Sequence, residues 1–265
     1  MTKQKTIFIS ADHGLSVVYF LQTDVLPTLL AGGVEVVLLT DDGLREQIER
    51  RFGQPGLVVE GLRFRQCREY FEKRDHSLQH WLHFLRWMGG SKRINTNAMD
   101  GHLRQMGYEA SPRGKRLMPL IRTLTWVLRR SRLARRALME AQRRYTPSIY
   151  SDLFEQYQPD LVVASTPGWR WDRYLLREAA ARGIDTAAVI VGWDNPSSYR
   201  LPGAPVKWIN CWSEIQKQEL VLGSDWAPEQ VHIGGIPSYD GYFRRTWQMP
   251  REEYFALHGL DPHRK

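Results

Sequence analysis

Three short segments gather the side chains of this chain that can do chemistry, and each follows an apolar run. In the first, Ser10-Ala11-Asp12-His13-Gly14, His13 suits the removal of a proton from an attacking hydroxyl, because an unperturbed imidazole titrates near pH ~6.5. Asp12 beside it would either orient that ring or cap the helix that follows. The second segment is Ser165-Thr166-Pro167-Gly168-Trp169, continued by Arg170, Trp171 and Asp172. It reads as a strand end, a turn and a helix entrance, where backbone N–H groups favour an anion, or as an ordinary loop shaped by Pro167 and Gly168. The third, Gly192 to Arg200, sets Trp193, Asp194, Asn195, Ser197 and Ser198 side by side. An indole stacks on the apolar face of a sugar while carboxylate, amide and hydroxyl groups bind its hydroxyls. The competing role is a turn in which Asp194 and Asn195 satisfy their own backbone.

A fourth cluster, His76, His80 and His83, has helical spacing but sits among Trp81, Phe84 and Trp87. The stretch lacks carboxylates and its helix needs an aromatic packing face, so packing is expected there and no metal site.

The elements that must carry these segments follow from the apolar pattern. Lys5–Ala11, Val34–Thr40 and a shorter run near Leu57–Val59 read as strands, with helices over Leu15–Ala31, closed by Gly32-Gly33, and over Leu44–Phe52. After Pro147 the rhythm returns: a helix over Ser148–Tyr157, a strand over Asp160–Ser165, a helix over Asp172–Arg182 and a strand over Thr186–Val191. Then come Val206–Trp212, the helix Ser213–Leu222 and a last strand, Val231–Ile233. Strand and helix in alternation specify an α/β fold, a doubly wound parallel sheet of Rossmann-like type. The first two strands, apolar almost throughout, should be parallel neighbours covered on both faces. Ligands of such sheets bind at the carboxyl ends of the strands, so His13 and the Trp193–Asn195 loop should converge on one crevice there.

Between these two stretches, from about 70 to 145, the sequence is helical and basic, a helical insertion in one domain over 1–249. From Arg113 to Arg144, 11 basic residues stand against the single acid Glu140, +10 locally against +8 for all 265 residues, so the rest of the chain carries −2. The charge is therefore local. Pro119 would occupy the first turn of one helix and Ser131 would cap a second, whose apolar face is Leu133, Ala134, Ala137, Leu138 and Ala141. Such a basic amphipathic pair would either be a solvated face or hold anionic lipid headgroups or a phosphorylated acceptor through Arg129, Arg130, Arg135 and Arg136. No nucleic-acid motif accompanies the charge.

With 42% hydrophobic residues the chain can build a core, which excludes wholesale disorder. Two cysteines, Cys67 and Cys211, are too few for a disulfide framework and lack zinc-site spacing, which points to a reducing, cytoplasmic setting. No apolar run approaches the roughly 18–20 residues of a membrane span, so any membrane association would be peripheral.

One ordered series of residues carries a resemblance. Trp193-Asp194-Asn195 with Ser197 and Ser198, then Cys211 to Lys217, Ile233 to Asp240, Pro250 to Phe255 and Gly259 to Pro262 resemble the N-terminal half of a bacterial GT-B glycosyltransferase. The resemblance implies two Rossmann-like domains, the first recognising the acceptor and the second holding most of the nucleotide-sugar donor. It places 250–265 as a linker and the start of an absent donor-binding domain, so the isolated chain would show little or no sugar transfer. It also implies His13 as the catalytic base of the first-strand loop, a glycan or lipid-linked acceptor, a place in cell-surface polysaccharide or lipid-linked glycan synthesis, and no cofactor. The alternatives are a nucleotide-sugar epimerase of the same architecture and a noncatalytic glycan- or membrane-binding module.

Overall fold

A computed structural model describes residues 4–198, 201–246, 248–261 and 263, apart from the side chains of Arg113 and Asn195. Seven apolar runs form seven strands: β1 (Thr6–Ala11), β2 (Glu35–Thr40), β3 (Leu57–Gly61), β4 (Leu161–Ala164), β5 (Asp185–Val189), β6 (Trp208–Cys211) and β7 (Val231–Ile233). They pair, all parallel, in the order β3-β2-β1-β4-β5-β6-β7. The doubly wound α/β fold read from the sequence is the fold of the protein. Strand order reverses direction between β1 and β4, and that is where a doubly wound sheet opens its ligand crevice.

Both faces of β1 and β2 are covered, which explains their unbroken apolar runs. Phe8, Val37 and Leu39 pack under α4 (Phe64–Lys73), α9 (Ser151–Tyr157) and α10 (Arg173–Ala181) through Cys67, Phe154, Tyr174 and Leu175. Ile9, Val36 and Leu38 pack on the other face against Tyr19, Phe20, Leu26 and Ile48, from α1 (Gly14–Leu21), α2 (Val25–Ala31) and α3 (Arg45–Phe52). The single helix expected over Leu15–Ala31 is in fact this α1–α2 pair, bent by 44°. Pro27 has no N–H to give the carbonyl of Thr23 and its ring would strike that carbonyl. Thr23 Oγ1 donates to the Tyr19 carbonyl at 2.6 Å instead.

The insertion comprises α5 (His76–Met88), α6 (Asn97–Glu109), α7 (Pro112–Arg130) and α8 (Arg132–Gln142). Phe84, Met88, Met99, Met118 and Ile121 form its core. Ser131 caps α8 as expected, its Oγ accepting from Ala134 N–H at 3.2 Å. Pro119 does not start a helix: Ser111 and Pro112 do, and Pro119 lies inside α7. The remaining helices are α11 (Asn195–Ser198), α12 (Glu214–Ser224), α13 (Asp240–Phe243) and α14 (Arg251–Leu257), the last in the segment expected to be a linker. Cys67 and Cys211 are free and buried. Among the described residues no single helix is long and apolar enough to cross a membrane.

Candidate functional site

The loops after β1 and β4 meet at the switch point and build one buried polar network. β1 carries Asp12 out of the sheet, and His13 is the N-cap residue of α1. Ser16 Oγ fixes that turn, accepting from His13 N–H at 3.1 Å and donating to the His13 carbonyl at 2.6 Å. With this cap made by Ser16, Asp12 orients the ring: its Oδ1 lies 2.5 Å from His13 Nδ1. Ser165 Oγ donates to the same oxygen at 2.8 Å, and Arg170 Nε pairs with Oδ2 at 2.8 Å. Burial alone would raise the Asp12 pKa, but the hydrogen bond and charge of His13, then Arg170 and Ser165, outweigh it and hold the carboxyl below its ordinary value.

A proton on Nδ1 directed at a carboxylate leaves Nε2 as the basic nitrogen of a neutral imidazole. Among the described residues no hydrogen bond engages Nε2, and the ring is partly exposed at the crevice. That is the arrangement a general base requires.

The loop after β4 is more than a turn. Thr166 Oγ1 donates to Asp172 Oδ2 at 2.5 Å and accepts from Trp169 N–H at 2.9 Å, while Arg170 N–H donates to Asp172 Oδ1 at 3.2 Å. Gly168 adopts a φ of +80 and packs so tightly on Gly203 that a Cβ on Gly203 would lie 1.8 Å from the Gly168 carbonyl oxygen. The loop is thereby held where Arg170 can reach Asp12. Burial, reinforced by the Asp12 charge, pushes Asp172 up to about 7. Two buried carboxyls at the switch point thus have their pKa values driven apart, Asp12 downward and Asp172 upward. Nothing in the order of residues marked Ser165, Arg170 and Asp172 as partners of Asp12, since they lie more than a hundred positions away; the strand-end placement of their loop was the available signal.

The Trp193–Asn195 loop lies at the same carboxyl edge, after β5. Val191 packs in one cluster with Ala11 and Tyr19 of the first βα unit. Gln216 holds the loop, its Nε2 donating to the Gly192 and Trp193 carbonyls at 3.1 and 2.9 Å and its Oε1 accepting from Trp212 N–H at 2.8 Å. Trp212 Nε1 donates to the Ile190 carbonyl at 2.6 Å. Both positioning residues were missed, although Ser213 with Gln216 has the spacing of a capping box. The Trp193 side chain is presented to solvent, 72% exposed.

Asp194 and Ser197 bond within the loop. The Asp194 carbonyl accepts from Ser197 Oγ at 2.9 Å, and Asp194 Oδ2 accepts from Ser198 Oγ at 3.2 Å, so among the described residues the Asp194 carboxylate is engaged by a serine hydroxyl and not, as the competing expectation had it, by its own backbone. The side chain of Asn195 lies outside the described residues. Among the described residues no hydrogen bond or ion pair joins the His13 loop to the Trp193 loop; β4 runs between them.

Two of the four arginines expected to contact a membrane or phosphate are internal clasps. Arg135 is buried, with Nε and Nη2 on Asp225 at 2.6 and 2.8 Å and Nη1 on the Leu128 carbonyl at 2.6 Å. Arg129 pairs with Asp100 and donates to the Met88 carbonyl at 3.1 Å. Each anchors one insertion helix; all three guanidinium nitrogens of the buried Arg135 are engaged, as burial of a cation requires, whereas Nη2 of Arg129 has no hydrogen-bond partner among the described residues. Arg130 and Arg136 are exposed, and Arg136 lines a cavity of about 470 Å³ at the amino ends of β6 and β7, away from His13. In the histidine cluster, burial and the Arg86 charge drive His83 down to about 2, so its neutral ring accepts from Arg86 at 2.9 Å. No group of metal-ligating side chains occurs among the described residues.

Fold and site define a doubly wound α/β protein with a His–Asp pair at the switch point of its sheet and an exposed tryptophan on a neighbouring strand-end loop. The chain matches no family model and no curated protein.

Proposed function

We propose that this chain is the acceptor-side domain of a nucleotide-sugar-dependent glycosyltransferase of GT-B type, acting in the synthesis of a cell-surface or lipid-linked glycan. The observation that carries the reading is the Asp12–His13 pair, which holds Nδ1 and leaves Nε2 free to take the proton of an acceptor hydroxyl. Arg170 and Ser165 keep Asp12 ionised, so it can stabilise the imidazolium that forms. Trp193 offers an exposed indole on which a sugar face would stack, and Gln216 holds the backbone of its loop at the carboxyl edge of the sheet. The activated sugar comes to the crevice from the donor side, and the dyad acts on the acceptor only.

The test has two arms. Glycan and lipid-linked acceptors titrated into the chain should perturb the ring signals of both His13 and Trp193, and Trp193→Ala should weaken that binding. With a nucleotide-sugar donor and a donor-binding domain supplied, His13→Ala should lower kcat by about 10²-fold or more, whereas Trp193→Ala should mainly raise KM for acceptor. Transfer at an undiminished rate by the His13→Ala protein, or acceptors that leave both rings unperturbed, would overturn the reading.

A further inference from the structure

We propose that the outer face of α7, continued by the first turn of α8, is a docking surface for an anionic lipid bilayer. α7 has 19 residues and no acid. Its inward stripe, Met118, Ile121, Thr125 and Leu128, is buried against the rest of the insertion. A second apolar stripe, Leu117, Leu120, Leu124 and Val127, repeats at steps of three and four, so these side chains lie along one line of the helix. They are 37–56% exposed, and Leu133 at the start of α8 is 77% exposed. A soluble surface has no use for a continuous leucine ridge.

The charges around that ridge differ from the clasps formed by Arg129 and Arg135. Lys115, Arg116, Arg122 and Arg130 make no ion pair among the described residues and are exposed. Trp126 is 55% exposed with the Arg130 guanidinium 4.4 Å above its ring, and an amphipathic ring beside a cation suits the headgroup level of a bilayer. An apolar ridge flanked by cations and devoid of acids is the pattern of a helix lying in the membrane interface.

The same features disfavour the other occupants. A second copy of this chain would bring equal positive charge to the contact, and a nucleic acid would use the cations but leave the leucines bare.

The surface also has a route to the site. α7 packs through Met118 and Ile121 on α5 and α6, and Trp87 of α5 donates to the Ser198 carbonyl at 2.7 Å, beside the Trp193 loop. A bilayer on α7 therefore lies one helix layer from that loop. Delivery of a lipid-linked acceptor to Trp193 rests on the function proposed above; the docking itself does not.

The experiment is sedimentation of the 265-residue chain with vesicles of phosphatidylcholine alone or mixed with phosphatidylglycerol. Binding is expected only to the mixed vesicles and should weaken as salt rises. Leu120→Ser with Leu124→Ser should weaken it at least tenfold, and Arg116→Glu with Arg130→Glu roughly 100-fold, since each cation near an anionic surface contributes separately. All four positions are exposed, and unchanged thermal melts confirm that the variants fold. Equal binding to both vesicle types, or binding undiminished in either variant, overturns the proposal. So does a dimer in sedimentation velocity that the leucine variant dissolves, which would assign the ridge to a second copy. Retention of an RNA probe that only the arginine variant loses, without vesicle binding, would likewise overturn it.

Discussion

Asp12, Arg170 and Asp172 at the crevice and Lys115, Arg116 and Arg130 on α7 are charged side chains in opposite situations. Behind the His13 ring Asp12 and Asp172 are buried, the half-exposed Arg170 pairs with Asp12, and Asp12 fixes the position of one imidazole. On α7 the cations flank exposed leucines and have no ion-pair partner among the described residues. Buried charges must be paired and hydrogen-bonded to survive desolvation, so they become rigid and can specify where a proton goes. Exposed charges are cheap and mobile, individually worth little to stability, and thus free to serve a large flat partner. Between the extremes stand Arg129 and Arg135, which lie in the same basic run as Arg130 yet act like crevice residues.

The largest expected effect tests that last assignment. Arg135→Ala removes one partner of a buried pair and leaves Asp225 and the Leu128 carbonyl behind. Arg132 stands 4.0 Å from Asp225 and remains, so the cost in chemical denaturation should be about 3 kcal/mol, at the low end for such a loss. A cost no greater than that of Arg130→Ala would erase the distinction between clasp and surface arginines.

The next effect concerns the crevice and its dependence on pH. Asp172 is raised from 3.8 to about 7 by burial and by Asp12. Between those values the native protein keeps a proton that the unfolded chain has released, so unfolding free energy falls as pH rises through that window. Asp172→Asn should flatten the slope and make the protein relatively more stable at the alkaline end. Asp12→Asn removes the neighbouring charge and should shrink the slope without abolishing it. Asp12 itself, with a lowered value, contributes stability that is lost only as pH falls below the ordinary carboxylate range. Denaturation series at several pH values check this, and an unchanged slope in Asp172→Asn would refute the account of the buried carboxyl pair.

The smallest effects are expected at the exposed residues. Trp193→Ala and Arg130→Ala should each change stability by about 0.5 kcal/mol or less, whatever they do to acceptor or vesicle binding. A larger loss on thermal or chemical unfolding would mean that these side chains hold the fold together, and the contrast between fixed crevice and available surface would fail.

The sequence alone determined the α/β class, the neighbouring parallel strands β1 and β2, and the placement of His13 and Trp193 at strand ends. Period and burial are local in origin: a strand covered on both faces must be apolar throughout, and a ligand loop must follow it. Composition likewise determined the strong local charge of the insertion. What tertiary structure alone decided is which charged groups meet. The Thr23–Pro27 break in the first helix was in principle legible from the proline. By contrast, the union of Asp12 with Ser165 and with Arg170, of Gln216 with the Trp193 loop, and of Arg135 with Asp225 joins residues separated by 153, 158, 23 and 90 positions. Side-chain pairing depends on distance in space, whereas the sequence pattern reports only which face of an element is apolar. For that reason a run of arginines looked uniform until packing turned Arg129 and Arg135 inward and left Arg122, Arg130 and Arg136 facing out.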